Sequence, residues 1–371
     1  MRNQKTLLSL AVAASLGAVS LQASAAAPTL YGDLALALVY NGSSTDTASA
    51  DGSNSSYGLY DNVSLLGVKG DAAVMDGTKF IYDFNFILNI AQSGFDGLPT
   101  THLGIIGLDG SFGTVTAGRD NGLFVQMVDG SSYQTNWFYT SGMSSLQVSK
   151  AIKYVSKDMS GFQFGAQIFD IGQDSSTGNS SNNYTVAGTY GMGDLTFGLG
   201  YTSYSKYGNG TEYSASTDTN QFGDAQNVWS GVLLESNTGV SGAWKSGKMG
   251  AVLAYEMRKP ADQAVGGGTQ NTSTIDTAML TLSYAMTEKT NLVANYSNTS
   301  QGDGNGIAGL SGGIVTLMAS YTPVDSLFFS VELQFADQDA NQSGLTGTTG
   351  VATGVNANSS NALALGATYT F

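Results

Sequence analysis

The stretch Asn361-Ala362-Leu363-Ala364-Leu365-Gly366-Ala367-Thr368-Tyr369-Thr370-Phe371 decides how the rest of this chain is read. Leu363, Leu365, Ala367, Tyr369 and Phe371 fall on one parity; Ala362, Ala364, Gly366, Thr368 and Thr370 fall on the other. Alternation with period two marks a β-strand whose faces meet different surroundings. Chain ends fray, so a soluble protein rarely leaves Tyr-Thr-Phe at one. A barrel, by contrast, must tie its last strand to its first to remove the open edges. In a bilayer that closure is obligatory, because lipid cannot hydrogen-bond a strand edge. The expectation is that Tyr369 and Phe371 join an aromatic girdle at one bilayer interface. The alternative at this point is the last strand of a soluble β-sandwich.

The first residues read as a targeting signal rather than as part of the fold. Arg2 and Lys5 supply a positive start, Leu7 to Leu21 carries no charge, and Ala23-Ser24-Ala25 is an A-x-A cleavage site. The expected division is a cleaved signal over 1–25 and one domain over 26–371. Without Arg2 and Lys5 the chain keeps 12 bases against 28 acids, a net charge of −16. Nucleic acid needs a basic footprint and is excluded as a partner. Cysteine is absent and His102 is the one histidine, so neither a thiolate nor a histidine metal centre can be built, and no cofactor is expected. Charged residues make up 11%, against about 25% in ordinary globular domains. No segment after the signal approaches the ~20 apolar residues of a spanning helix. A membrane protein without such a helix must be a barrel.

The alternation of the closing stretch recurs along the chain. Leu34, Leu36, Leu38 and Tyr40 share a face opposite Asp33, Ala35 and Ala37. A loop over 41–56 leads to a strand over Asn62–Lys69, then to the clearest strand: Phe80, Tyr82, Phe84, Phe86, Leu88 and Ile90 on one side, Asp83, Asn85 and Asn89 on the other. His102–Leu108, a turn at Asp109-Gly110 and Ser111–Gly118 read as a hairpin. Regularity then stops from Arg119 to Val148, and a loop that long inside a domain is usually functional. The pattern resumes at Phe162–Ile168, Leu195–Tyr201, Met249–Met257, Ala278–Met286 and Leu327–Phe335. Short turns such as Thr322-Pro323-Val324-Asp325 alternate with long Ser/Gly/Asn/Thr loops, which is the outer-membrane barrel pattern. The fold class is all-β: a transmembrane antiparallel barrel of about 16 strands.

At this point the chain resembles the trimeric general diffusion porins of Gram-negative outer membranes. The matching segments are Thr29–Gly32, Leu66–Gly70, Ser111–Arg119, Ala151–Ser156, Ser160–Gly165 and the Phe371 end, in family order. The resemblance implies a 16-stranded barrel, a homotrimer, and a third external loop folded into the lumen over 120–148. It also implies acids on that loop facing a basic wall. Asp129 is the loop acid, with Asp120 near its hinge. Wall positions that are basic in many members carry Asp33, Leu65, His102 and Gln147 here, and only His102 could become positive, near its usual pKa of about 6.5.

Other motifs are weaker. Gly304–Gly309 matches G-x-G-x-x-G but lies in a Gly/Asn loop with no helix after it. Gly309–Gly313 matches the nucleophile elbow, with Ser311 as nucleophile and His102 as its sole available partner. Tyr133, Trp137, Phe138 and Tyr139 either pin the loop to the wall or stack a solute. Asp83, Lys69, Lys153 and Glu332 have lumen parity. Asp46, Asp51, Asp218 and Asp303 read as solvated loop acids, near lipopolysaccharide.

The expected protein is therefore a passive, cation-preferring porin for ions and small hydrophilic solutes, not an enzyme. Its partners are outer-membrane lipid, lipopolysaccharide and two further copies of itself. Asp129, Asp120 and Asp33 would favour cations, with Arg119 and Lys153 as counter-charges. A solute-selective porin, a barrel enzyme and an adhesive barrel are the alternatives.

Overall fold

The structure is a computed structural model. It describes residues 27–43, 55–61, 63–88, 90–91, 100–129, 147–173, 180–204, 234–261, 271–305, 310–338 and 359–371. The signal segment, the aromatic cluster over 133–139, and Asp46, Asp51 and Asp218 lie outside the described residues.

Alternation becomes one closed antiparallel sheet. In chain order the strands are β1 (Thr29–Ser43), β2 (Ser55–Asp61), β3 (Leu65–Met75), β4 (Thr78–Ile87), β5 (Thr100–Gly110), β6 (Gly113–Asn121), β7 (Gln147–Val155), β8 (Phe162–Gln173) and β9 (Ser180–Met192). They continue as β10 (Leu195–Ser203), β11 (Leu234–Ser246), β12 (Met249–Pro260), β13 (Ile275–Ala285), β14 (Thr290–Gln301), β15 (Leu310–Val324), β16 (Leu327–Gln338) and β17 (Ser359–Thr370). Each except β2 pairs with its successor, and β17 returns to β1 from Asp33↔Thr370 to Ser43↔Ser360. β1 pairs with β2 above Leu36 and with β3 below Asp33, so β2 and β3 are two halves of one staggered position. The result is a closed barrel of 16 positions.

The sequence reading placed a continuous strand over Asn62–Lys69. The strand breaks there instead, at Val63 with φ 57°. Local side chains satisfy the backbone the break would strand. Asp61 accepts from the Ser64 and Ile90 amides at 2.7 and 2.9 Å, and Ser64 Oγ accepts from the Ala35 amide at 2.9 Å. Ile90 thus lies beyond β4 rather than in it. The first hairpin turn also shifts: β5 runs through Gly110 and the turn is Ser111-Phe112.

Closure is completed beyond the last strand. Phe371 and Gly32 exchange two backbone hydrogen bonds, each 3.0 Å. A Cβ on Gly32 would stand 2.7 Å from the Phe371 ring, so only glycine leaves that ring its seat. Phe371 stacks on Tyr369, with ring centroids 6.2 Å apart.

The apolar parity faces outward on every wall. Leu253 and Leu199 are 62% and 60% exposed, and Leu38, Ile106, Ile152, Tyr321, Phe329 and Leu365 are similarly bare. Apolar surface on this scale needs lipid as its neighbour. Strands of 9 to 15 residues suffice for a tilted crossing, which takes about 9–11. Aromatics collect near the short turns, among them Phe112, Tyr154, Phe162, Tyr190, Trp244, Tyr284, Phe329 and Tyr369. The turns there are tight, with Gly77, Gly193 and Gly247 at φ 69°, 59° and 56°.

The core of this molecule is the contact between the wall and the loop that leaves β6. The loop begins two residues later than expected, because Asp120 and Asn121 belong to β6 and Gln147 and Val148 to β7. From Gly122 it turns into the barrel as a short π-helical segment, Val125–Asp129. Leu123, Phe124, Met127 and Val128 are all but buried, each burial contributing about 1.5–3 kcal/mol. They lie on inward positions of β8, β10 and β11 that are glycine. A Cβ at Gly198 would meet the Met127 carbonyl oxygen at 2.4 Å; one at Gly200 would meet Val128 at 2.7 Å; one at Gly239 would meet Phe124 at 2.5 Å.

Gly198→Val is therefore expected to lift this segment off the wall while the barrel still forms. The check is single-channel conductance of the refolded variant, which should rise; an unchanged conductance would show that the segment does not narrow the lumen. Deleting Phe371 should lower the yield of folded barrel in detergent refolding, followed by the β-sheet circular dichroism signal.

Candidate functional site

The site is the lumen wall around the root of the inward loop. β6, β7 and β8 carry Asp120, Lys153 and Gln167 inward, and these three hold the loop's first residues. Lys153 Nζ donates to Asp120 Oδ1 at 2.8 Å, to Gln126 Oε1 at 3.2 Å and to the Asn121 carbonyl at 3.4 Å. Gln167 donates to the Asn121 carbonyl at 3.1 Å and accepts from the Leu123 amide at 2.8 Å. Thr116 donates its hydroxyl to the second Asp120 oxygen. Asp120 and Lys153 are 3% and 7% exposed, so their charges meet each other first.

A second polar chain crosses β1, β4 and β5. The Tyr31 hydroxyl donates to Asp83 and accepts from Asn85 Nδ2 at 3.0 Å. Asn85 Oδ1 lies 3.0 Å from His102 Nδ1. Because Asn85 uses its amide nitrogen on Tyr31, His102 is the donor in that contact. His102 reaches the lumen side through a bulge: Asn85 pairs with Leu103 and Phe86 with Thr101, leaving His102 as the extra residue. Lys69 Nζ sits 4.8 Å above the Tyr31 ring, a cation–π contact. Asp33, farther down β1, accepts from the Thr370 hydroxyl at 2.6 Å.

Not every expected residue converges here. Arg119 pairs in regular register with Gly104, on the outward parity of Ile106 and Leu108, and faces a bulge whose extra residue is on β7, between Val148 and Ala151. Its guanidinium donates to the His102 carbonyl and to Ser149 Oγ, both at 3.0 Å. Strand parity alone puts it there, since Thr116 and Asp120 face in; the β7 bulge opposite is where Lys150 takes φ 47°. Asp129 ends the inward segment, and its side chain lies outside the described residues. Glu332 is inward and buried on β16, two strands from β1 through β17, and paired in register with Met318. Ser311 sits within β15 opposite Ser300, not on a strand-to-helix elbow, and β16, β17, β1, β3 and β4 lie between it and His102 on β5 by the shorter way round the barrel. Among the described residues no group of acids and histidine could hold a metal.

The sequence reading missed residues of two kinds. Gln167 and the glycines at 165, 198, 200 and 239 gave no signal, since nothing local tells which glycine a distant loop will touch. Glu256 and Arg258 were legible: Tyr255 and Met257 were read as outward, so their neighbours had to face in. Arg258 Nη2 donates to Thr277 Oγ1 at 2.8 Å. Beyond them the inner wall of β13 to β15 is mostly hydroxyl and amide, including Thr277, Thr281, Asn295, Ser297, Thr299 and Thr316.

The fold matches solved outer-membrane proteins. The anion-selective porin from Comamonas acidovorans superposes with a TM-score of 0.65 at 17% identity, over 93% of this chain and 99% of that one. The trimer form of OmpT, an outer membrane protein of Vibrio cholerae, gives 0.62 at 18%, with 93% and 99% covered. Salmonella typhi OmpF, in complex with daunomycin, gives 0.63 at 12%, with 93% and 97% covered. No curated protein sequence matches the chain. The profile of the Gram-negative porins matches residues 9–230, more than half the chain. On that match, and on a closed lipid-facing barrel with a polar interior, the chain belongs to the Gram-negative porin family, the diffusion channels of the outer membrane.

Proposed function

We propose that this porin is a homotrimeric, passive, cation-preferring channel for ions and small hydrophilic solutes. The carrying observation is the charge balance of the inward positions. Asp120 and Lys153 cancel at the loop root, and Arg119 is committed to a carbonyl and a hydroxyl at the bulge. Asp33 and Asp83 then stand part-exposed on the inner wall against Lys69, whereas Glu256, Glu332 and Arg258 are buried within it. A lining with acids in excess raises the local concentration of cations. Asp129, at the end of the inward segment, adds to this reading. The wall across from it is hydroxyl and amide, so it offers exchangeable hydrogen bonds without barring either sign. Trimerisation is supported by the family and by the trimeric form of a structural neighbour.

The test is the zero-current potential of the purified protein in a planar bilayer under a KCl gradient. A cation-preferring potential is expected, and Asp33→Lys should move it toward zero. An anion-preferring potential would overturn the charge assignment, and insertion without conductance would overturn the channel itself. Light scattering on the detergent-solubilised protein should give three copies per particle.

Lys153→Met should strengthen the cation preference, because it leaves the Asp120 carboxylate unbalanced. It should also destabilise the loop root, since breaking a buried pair by removing one partner costs about 3–5 kcal/mol. Limited proteolysis after β6 would report that loss, and Asp120→Asn in the same chain should reverse most of it.

A further inference from the structure

We infer that His102 is a specificity-determining residue: an imidazole on the lumen wall whose protonation weakens the cation preference, so that the selectivity of the pore follows pH. The inference rests on reading the lumen as a cation-preferring path and names the residue that tunes it. The chain has one histidine and no cysteine, and histidine is the side chain whose ordinary charge change falls between pH 5 and 8.

The wall around His102 is arranged to accept that proton. His102 is the extra residue of the β5 bulge, half-buried on the lumen side. It heads a row of hydrogen bonds in which every donor points the same way. Its Nδ1 donates to Asn85 Oδ1 at 3.0 Å, Asn85 Nδ2 donates to the Tyr31 hydroxyl at 3.0 Å, and that hydroxyl donates to Asp83. The row begins at an imidazole and ends on a carboxylate. Nδ1 carries its proton in both charge states, so the second proton goes to Nε2 and none of these bonds has to break. Protonation therefore changes the charge of the wall without rearranging it.

The charged groups near the imidazole are few among the described residues. From β4 comes Asp83, at the far end of the row, and from β1 come Tyr31 and, two residues on, Asp33. From β3 comes Lys69, whose ammonium lies 4.8 Å from the Tyr31 ring centroid. From β6 comes Arg119, whose Nε is 3.0 Å from the His102 carbonyl oxygen on the outward side. Asp33, Asp83 and Lys69 all keep some exposure. Two carboxylates against one ammonium leave a single negative charge on this part of the wall, and a proton on His102 cancels it. The neighbouring Lys153–Asp120 pair is nearly buried and neutral as a unit, so it does not mask the change.

The test is the zero-current potential under a KCl gradient at pH 8 and at pH 5, for the native chain and for His102→Asn. Asparagine keeps a side-chain N–H donor for Asn85 but does not titrate. In the native protein the potassium-to-chloride permeability ratio should fall about twofold at the lower pH, because fixed lumen charge sets the local counter-ion concentration. In His102→Asn that fall should be absent; ordinary carboxylates titrate lower, near 4, and the terminal amine is common to both proteins. A ratio indifferent to pH, or one that falls equally in both proteins, overturns the inference and leaves the cation reading intact. An anion-preferring potential at pH 8 that still moves with pH in the native chain alone overturns the cation reading and leaves this one standing. Should His102→Asn fail to fold, nuclear magnetic resonance of the histidine-labelled native protein in detergent decides: an imidazole signal that moves between pH 5 and 8 is expected, and one that stays fixed overturns the inference.

Discussion

Everything in this molecule follows from one constraint: in lipid, each backbone N–H and C=O needs a partner within the protein. The pairing of β17 with β1 meets that need at the seam, and the Phe371–Gly32 exchange extends it past the last strand. The same constraint explains why the break between β2 and β3 is dense with side-chain contacts. A strand may leave the ladder only where something else takes its hydrogen bonds. At Val63 that something is Asp61 and Ser64, which together accept from the amides of Ser64, Ile90 and Ala35. The bulges at His102 on β5 and between Val148 and Ala151 on β7 are smaller departures of the same kind, one extra residue each. Both occur where the wall must deliver a side chain to the loop region.

A barrel of this width has no conventional hydrophobic core, because its apolar parity is spent on lipid. The interior must then be organised without a general apolar drive. The inward segment solves this by bringing its own apolar residues, and the wall supplies glycines where those residues land. Removing the wall's Cβ atoms at 198, 200 and 239 lets the loop backbone and the Phe124 ring approach within van der Waals contact. The polar half of the anchor is the Lys153, Asp120 and Gln167 group. One half gives burial, the other gives direction, and the loop leaves β6 with a fixed heading.

The fold was legible because period-two alternation is local and strong. Phe80 to Phe86 and Leu363 to Phe371 state their faces without any knowledge of their partners. What was not legible was interruption. Asn62 to Lys69 alternates well enough to pass for one strand, yet a staggered neighbour forces a break that only the three-dimensional register reveals. Arg119 is outward by simple counting from Thr116, and it was read as a pore charge through its place in the family motif rather than through parity. The site was half legible. Lys153, Asp83 and Lys69 follow from parity, as Glu256 and Arg258 would have. Gln167 and the glycine seat depend on contacts between segments far apart in the chain, and residue identity alone cannot report those.

The charges of the wall divide by what they touch. Asp120 and Lys153, nearly buried and 2.8 Å apart, act as one neutral structural unit, because a lone buried ion would be far costlier than the pair. Lys79–Asp71 and Lys157–Asp109 near the short turns are exposed pairs, and such pairs contribute little to stability. They also nearly cancel at distance. The large negative charge of the chain is therefore a poor guide to the field inside the lumen. Of the inward charges, Asp33, Lys69 and Asp83 on β1, β3 and β4 keep some exposure to the lumen, while Glu256, Arg258 and Glu332 are buried within the wall. Selectivity in such a pore comes from the placement of a handful of side chains rather than from net charge, which is why one barrel architecture can serve cations in one member and anions in another.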